Sequence, residues 1–399
     1  MSEIYGRKVL VTGATGFIGG RLVERLNMAE GAAVRVLVSG YSRCARVARF
    51  PVELARADLL DRNAVTEAAK GCSVIFHCAY GSRGGAKERR LVNIEGTENV
   101  LAAAAVTGAR VVHLSSQMVY GLPEQGDIDE RAPRRRTGST YGDSKLEAEE
   151  RVLRAAAEGL PVTVLQPTAV YGPLAPVWTV GVLERMRVGK VPLIDSGAGA
   201  CNAVYIDDVV EAMLLAATSD DSLGECFLIS AAEPVTWREF YGQYEEMLGV
   251  PATVPVTLAQ ATRGANGKPA RSLLRELPDL LLNEPTVRQR LARTVEGKAL
   301  VRLLRGKLKR GRTKSATPEL DRLRSLRRVE EAPLHPLTER DATFFASHSR
   351  VRIDKARSSL GYRPKFGLIE GMELTGAWAR WAGLVPSGGK ESEIVAGSA

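Results

Sequence analysis

Tyr141 and Lys145 stand four residues apart in Tyr141-Gly142-Asp143-Ser144-Lys145, at the head of an Ala/Glu-rich stretch that reads as a helix. That spacing puts a phenol and an ammonium on one helical face. A secondary alcohol that gives up hydride must also lose its hydroxyl proton, so a base has to lie within hydrogen-bond reach. Free tyrosine, with a pKa of about 10, is too weak an acid to supply a phenolate near neutrality. A neighbouring ammonium favours the phenolate and lowers that value. Ser115 and Ser116 end an apolar run upstream, and the Ser116 hydroxyl could donate to a substrate oxygen and orient it. Tyr-x-x-x-Lys by itself is also what an ordinary solvated helix surface offers. The Gly/Ser loop just before it and the serines at a strand end set this occurrence apart.

The second informative run is Val9-Leu10-Val11-Thr12-Gly13-Ala14-Thr15-Gly16-Phe17-Ile18-Gly19. It reads as a buried strand, a glycine turn and a helix start, which aims backbone N–H groups at a dinucleotide pyrophosphate. Gly13, Gly16 and Gly19 remove Cβ atoms where the chain turns, where phosphates approach and where helix meets strand. A tight turn in any α/β protein is the plainer alternative. Asp58 follows the alternating stretch Val52–Ala57, where it could accept from an adenine amine or cap the next helix, a place Asp61 also suits. An NAD binder usually carries an acid about twenty residues beyond the glycines for the ribose hydroxyl. Counting from Gly19 reaches Ser39, and Arg43 and Arg46 follow. Either guanidinium could pair with a 2′-phosphate, so NADP is favoured over NAD.

Around these motifs, residues 7–160 alternate apolar runs with Ala-rich helical stretches. Strands are expected at Lys8–Thr12, Val34–Val38, Val74–Cys78, Val111–Ser115 and Val162–Gln166. Helices are expected at Ile18–Asn27, Asp61–Lys70, Leu91–Thr107 and Tyr141–Glu158. Such alternation predicts an α/β fold with a parallel sheet covered on both faces. Later, Val204–Asp208 and Cys226–Ser230 read as strands and Trp237–Leu248 as a helix. We place a dinucleotide-binding domain at 1–173, its sheet completed by 204–230. A smaller substrate lobe takes 174–203 and 231–385, with a basic helical insertion at 251–349. The Gly/Ser-rich tail 386–399 has little to bury and reads as disordered.

The chain has 399 residues, more than one core usually fills, so two lobes are expected. Five cysteines (Cys44, Cys72, Cys78, Cys201, Cys226) show neither metal-ligand spacing nor a paired framework, which suits a reducing compartment. With no signal-like start and no apolar run of ~20 residues, a cytoplasmic location is expected. The net charge of +9 is local: residues 286–314 hold eleven Lys or Arg and one acid, leaving the remainder at −1. Leucines at roughly helical spacing run through that segment. The stripe suits a solvated insertion covering the substrate lobe, or peripheral contact with an anionic membrane, a polyanion or an acidic partner. Without interleaved aromatics, nucleic acid is a poor fit.

Further matches reach a family. They are Asp58-Leu59, His77-Cys78-Ala79, Asn93-Ile94-Glu95-Gly96-Thr97-Glu98-Asn99-Val100 and Leu114-Ser115-Ser116-Gln117-Met118-Val119-Tyr120-Gly121. Pro167-Thr168-Ala169-Val170-Tyr171-Gly172-Pro173, Val204-Tyr205-Ile206-Asp207-Asp208-Val209 and Leu360-Gly361-Tyr362-Arg363-Pro364 follow. In these and the two opening motifs the chain resembles the extended short-chain dehydrogenase/reductases, the NAD(P)-dependent nucleotide-sugar epimerase/dehydratase group.

The resemblance implies a Rossmann-type doubly wound sheet and a smaller C-terminal substrate lobe. It implies that Ser116 is the active-site hydroxyl, Tyr141 the acid/base and Lys145 its partner, which also holds the nicotinamide ribose. Gly13, Thr15, Gly16, Phe17, Ile18 and Gly19 would carry the cofactor, with Arg43, Asp58 and Leu59 on its adenosine side. Cys78 and Ala79 would pass the adenosine and phosphates, and Pro167, Thr168 and Val170 would line the nicotinamide. A small-molecule substrate, a nucleotide sugar in this group, and a homodimer through Leu91–Thr107 and Tyr141–Glu158 are implied too.

Departures narrow the reaction. Sugar 4,6-dehydratases follow the serine with an Asp-Glu pair, and here Gln117 and Met118 stand instead. No Cys/His pair stands out for 3,5-epimerisation, and Gln166 replaces the group's usual arginine. What remains is a 4-epimerase or ketone reductase of a nucleotide sugar. The alternatives are a reductase of a hydrophobic alcohol or ketone, sterol-like or flavonol-like, and a non-catalytic NAD(P)-binding sensor. Elsewhere, His77 and His113 read as satisfied core histidines, Asn93 as a bridge or a solvated position, and Asp207 and Asp208 as helix caps. Trp237, Trp378 and Trp381 read as packing residues, and Arg185 and Lys190 as solvent-exposed positions or phosphate partners.

Overall fold

Residues 3–81, 85–121, 126–263 and 334–386 are described by the computed structural model. The first half runs β1 (Lys8–Thr12), α1 (Phe17–Arg25), β2 (Ala33–Val38), β3 (Glu53–Arg56), α2 (Arg62–Ala69), β4 (Val74–His77), α3 (Ala86–Thr107), β5 (Arg110–Leu114), α4 (Thr140–Ala157) and β6 (Val162–Pro167). Next come β7 (Ala169–Tyr171), α5 (Gly181–Val188), β8 (Val191–Ile194), β9 (Ala200–Cys201), β10 (Ala203–Tyr205), α6 (Ile206–Thr218) and β11 (Cys226–Ile229). Then β12 (Val235–Thr236), α7 (Trp237–Leu248), β13 (Thr253–Val256), α8 (Leu258–Thr262), α9 (Glu339–Ala346), α10 (Asp354–Ser359) and α11 (Leu368–Trp381) complete the chain.

Seven strands form one parallel sheet in the order β11-β6-β5-β4-β1-β2-β3. Its central strands are buried on both faces, as β4 and β6 show at every residue. Leu22 and Val23 of α1 and Val209 and Met213 of α6 cover one face. Val65 of α2, Val100 and Ala104 of α3, and Val152 of α4 cover the other. Strand order reverses between β1 and β4, and ligands of open α/β sheets bind outside the carboxyl ends at that point.

Two expectations about residues 204–230 change. The strand expected at Val204–Asp208 stops at Tyr205 and pairs only with β7, so Cys226–Ile229 alone completes the large sheet. Asp207 and Asp208 lie in the first turn of α6, but neither caps it. Asp207 instead forms a two-point ion pair with Arg21 of α1, at 2.5 and 2.8 Å. Buried Asp208 accepts from the backbone N–H groups of Lys365 and Phe366, fastening the C-terminal segment.

The second lobe is built on aromatic packing. Trp237 is buried, stacks on Trp178 at 5.4 Å and meets Phe345 at 4.6 Å. Phe344 and Phe345 come from α9, so the end of the segment 251–349 delivers two aromatics to this core. Trp378 packs partly against this core, whereas Trp381 is 85% exposed and does not pack as expected. Within 251–349, β13 pairs in parallel with β8, and Ala261 and Ala342 share a small core with Ile194. The basic stretch 286–314 and tail residues 387–399 lie outside the described residues.

Candidate active site

At the switch point the glycine turn is pressed against the end of β4. Gly13 has φ +66°, and a Cβ there would lie 2.6 Å from the Ala79 nitrogen and 2.7 Å from the Cys78 carbonyl carbon. A Cβ on Gly19 would lie 2.5 Å from the Gly13 oxygen. Only glycine fits either place. Gly16 precedes α1 without a side-chain cap, and no acid occupies the first turn, so the helix end is open to an anion. Thr15, Phe17 and Ile18 flank it, half-buried, and Phe17 and Ile18 also touch the core of the second lobe. These residues fit a dinucleotide pyrophosphate.

The adenosine side is less closely drawn together. Arg43 lies exposed in a 3₁₀ turn after β2. Arg46 in the same turn crosses the start of α1, its Nη1 3.3 Å from the Gly16 oxygen. Burial lowers the pKa of its guanidinium, against the pull of Glu24. Asp58 is exposed, accepting from the Leu60 N–H, while Asp61 caps α2. Leu59 packs on Gly96 of α3 and accepts from Asn99 through its carbonyl oxygen. Pro167 and Thr168 are buried at the carboxyl end of β6, with half-buried Val170 beyond them. Asn93 is buried and its Oδ1 accepts from the Gly81 N–H at 2.6 Å, so it is not the solvated position that was the alternative.

Tyr141, Lys145 and Ser116 come together at the end of β5. Ser139 caps α4 by accepting from Gly142, and Asp143 accepts from the N–H groups of Thr137 and Gly138, so the Gly/Ser loop fixes the helix start. Ser116 caps the 3₁₀ turn Gln117–Tyr120, accepting from the Met118 N–H, and its side chain lies beside that of Tyr141. The Tyr141 ring keeps one face open, 40% exposed, and meets the Tyr80 ring edge-on at 5.1 Å. Lys145 is buried, donates to the Leu114 carbonyl at 2.7 Å and lies 5.3 Å from the centre of the Tyr80 ring. Tyr80 sits two residues past Cys78 in the same loop, a placement no sequence motif marks.

The electrostatics differ from the expectation. Desolvation raises the Tyr141 pKa, the Ser116 side chain opposes the rise and Tyr80 adds to it, a shift that water at the open ring face tempers. Acidification by Lys145 is not what this structure shows, because the ammonium points at the Leu114 carbonyl and the Tyr80 ring. Burial pulls Lys145 itself down to about 8, against the Cys78 thiol and the Glu149 carboxylate. Burial also pushes the Cys78 thiol up to about 12, so it stays protonated near neutrality. His77 pairs with Thr12 at 2.8 Å and Thr97 at 3.0 Å. His113, its neighbour across the β4–β5 ladder, has no hydrogen-bond partner among the described residues on either ring nitrogen and so departs from the satisfied pattern expected. Burial depresses both, His77 to about 3.

Gln166 also gains a physical account. Its Nε2 donates to both oxygens of Glu149 at 2.9 and 3.0 Å, and its Oε1 accepts from the Tyr120 hydroxyl at 2.8 Å. Arg134 supplies the cation, its Nε 2.6 Å from Glu149. Beside Ser116, a narrow cavity of about 20 Å³ lies between Gln117, Met118 and Ile128 and the second lobe's Asn202, Phe344 and Ser347. Among the described residues its lining contains no charged side chain, whereas a larger cavity of about 400 Å³ at the start of α4 is lined by Lys87, Arg89, Arg90, Arg136, Asp143 and Glu147. Among the described residues, no cluster of His, Cys, Asp or Glu could hold a metal, and no helix is long and apolar enough to cross a membrane.

The family model for the NAD dependent epimerase/dehydratase family matches residues 9–229. A 4-hydroxy-2-methyl-3-oxo-4-farnesyl-3,4-dihydroquinoline-1-oxide ketoreductase from Stigmatella aurantiaca is 30% identical over 264 residues, 65% of this chain and 78% of that protein. A 2-alkyl-3-oxoalkanoate reductase from Stenotrophomonas maltophilia is 31% identical over 255 residues, 61% of this chain and 76% of that protein. UDP-glucose 4-epimerase from Thermotoga maritima, solved with UDP-glucose, superposes with a TM-score of 0.65 at 21% identity, over 94% of this chain and 99% of that one. At that identity the likeness speaks for the fold. With the glycine cradle, the seven-stranded sheet and the Ser116–Tyr141–Lys145 cluster, the chain belongs to the NAD-dependent epimerase/dehydratase family and is an extended short-chain dehydrogenase/reductase enzyme.

Proposed function

We propose that the protein is an NAD(P)H-dependent reductase of a ketone on a largely apolar small molecule, with Tyr141 as proton donor. One observation carries this reading. The Tyr141 phenol, its ring 40% exposed, lies beside Ser116 at the end of β5, where one carbonyl oxygen could meet both hydroxyls. A protonated phenol suits delivery of a proton to a carbonyl oxygen better than removal of one from an alcohol. Both sequence relatives are named for ketone reduction, whereas the sugar-nucleotide enzyme is similar in fold. Those two facts move the substrate away from the nucleotide sugar expected at first. They also favour an enzyme over a sensor, which has no need of a proton donor.

Bound nicotinamide would supply hydride to the carbonyl carbon. Ser116 would donate to the carbonyl oxygen and hold it against Tyr141 Oη. The Tyr141 proton would pass to that oxygen, and solvent would return it through the open ring face. Lys145, tied to Leu114, would keep a positive charge beside the ribose. Gly13, Gly16 and Gly19 would seat the pyrophosphate. Arg46, more than Arg43, would meet a 2′-phosphate, which favours NADPH.

The test is cofactor absorbance with two panels, 2-alkyl-3-oxoalkanoates with aryl ketones, and nucleotide hexoses. Ketone-dependent loss of NADPH is expected. Interconversion of hexoses with no net change in cofactor would overturn the proposal and restore the epimerase.

A further inference from the structure

Three side chains of α4, spaced four residues apart, grip three consecutive residues at the end of β5. Tyr141 lies beside the Ser116 side chain, Lys145 donates to the Leu114 carbonyl at 2.7 Å, and Glu149 accepts from Ser115 Oγ at 2.5 Å. The first two belong to the proposed reacting centre. The third is a fully buried carboxylate, 0% exposed. Burying a lone carboxylate is costly unless charge and hydrogen bonds compensate it. Here compensation is complete: Oε1 accepts from Arg134 and Gln166, and Oε2 from Ser115 and Gln166.

A carboxylate held by donors from three other elements cannot swing. Arg134 comes from the loop before α4, Gln166 from β6 and Ser115 from the end of β5. Ser115 is also held through its backbone N–H, which donates to the Leu165 carbonyl at 2.7 Å. The residue lying between the two contacts of the reacting centre is therefore fixed from both sides.

We propose that Glu149, neutralised by Arg134, is a positioning residue that locks Ser115 and so sets Ser116 and the Leu114 carbonyl for Tyr141 and Lys145. This rests on the reading of those residues as the reacting centre. A displacement of about 1 Å at such a centre costs on the order of a hundredfold in rate. The Glu149 charge also reaches Lys145, which faces Cys78, Tyr80 and the neutral His77 and His113 from the neighbouring strands. Without that charge, burial would depress the Lys145 ammonium further.

Four variants, Ser115→Ala, Glu149→Gln, Arg134→Met and Arg134→Lys, test this beside Tyr141→Phe. Ser115→Ala should lower kcat about tenfold to a hundredfold, with KM and the cofactor Kd changed less than about threefold. Glu149→Gln should also move the alkaline limb of the pH–rate profile down by about one unit, a readout that simple loss of packing would not shift. Arg134→Lys should restore most of what Arg134→Met loses. If Tyr141→Phe abolishes turnover while Ser115→Ala and Glu149→Gln keep the wild-type kcat and pH profile, this proposal falls and the reacting centre stands. If Tyr141→Phe keeps turnover, the reading of the centre falls. Should Glu149→Gln not fold, Ser115→Ala decides, since it removes a single hydroxyl.

Discussion

Arg46 offers a sharp test of cofactor choice, because the structure allows its guanidinium to be moved as well as removed. It lies half-buried across the start of α1, with Nη1 3.3 Å from the Gly16 oxygen and 3.5 Å from the Phe17 oxygen. An anion seated at that helix end, extended by a 2′-phosphate, would meet a partly desolvated cation. Hydrogen bonds to charged groups contribute about 1.5–3 kcal/mol each. Since 1.4 kcal/mol is tenfold in affinity, Arg46→Ala should weaken NADPH about tenfold to a hundredfold. NADH lacks the 2′-phosphate and should change less than about threefold. Gly20→Ala gives an independent handle. A Cβ at Gly20 would lie 2.8 Å from the Arg46 guanidinium carbon, so the side chain must shift while its charge stays. That variant should lose part of the NADPH preference and none of the NADH affinity. Nicotinamide fluorescence titration of wild type, both variants and Arg43→Ala reads this directly. Equal weakening of the two cofactors, or a wild type that binds them equally, would refute the reasoning.

Two further outcomes concern stability. His77 is depressed to about 3 by burial, whereas an unfolded histidine titrates near 6.5, so below that pH the unfolded chain binds the extra proton. Stability contributed by the neutral ring is therefore full above about pH 6.5 and is lost as pH falls toward 3, at about 1.4 kcal/mol per pH unit. Denaturant melts between pH 7 and 4 should show that slope, and His77→Asn should flatten it. Asp208→Ala removes the acceptor of two part-buried hydrogen bonds, from the N–H groups of Lys365 and Phe366, at about 0.5–1.5 kcal/mol each, and should lower the melting temperature by a few degrees. An unchanged melt would show that the C-terminal segment is held otherwise.

How much of this was legible in the sequence depended on whether a pattern was local. β1 and α7 match their expected bounds, one from an unbroken apolar run and the other from the Thr236/Glu239 capping box with Gly249 at its end. α3 begins five residues before Leu91, because the charged stretch before it carries no apolar periodicity. β3, with mostly exposed side chains at the sheet edge, shows only a weak alternation. The Ser116–Tyr141–Lys145 cluster was visible because its spacing is local and its chemistry specific. Its environment was not. Arg134 and Gln166 converge on Glu149 from separate elements, and Asp208 fastens a segment 157 residues away, which no local pattern encodes. The aim of Lys145 at the Leu114 carbonyl and the Tyr80 ring is likewise a tertiary property.

The most direct test of the account is a single-turnover reaction of Tyr141→Phe loaded with NADPH and mixed with a ketone that the wild type reduces. Hydride transfer should slow by about 10²–10⁴-fold while the NADPH Kd stays within about twofold of wild type. A rate within tenfold of wild type would show that the proton comes from elsewhere and would contradict the account.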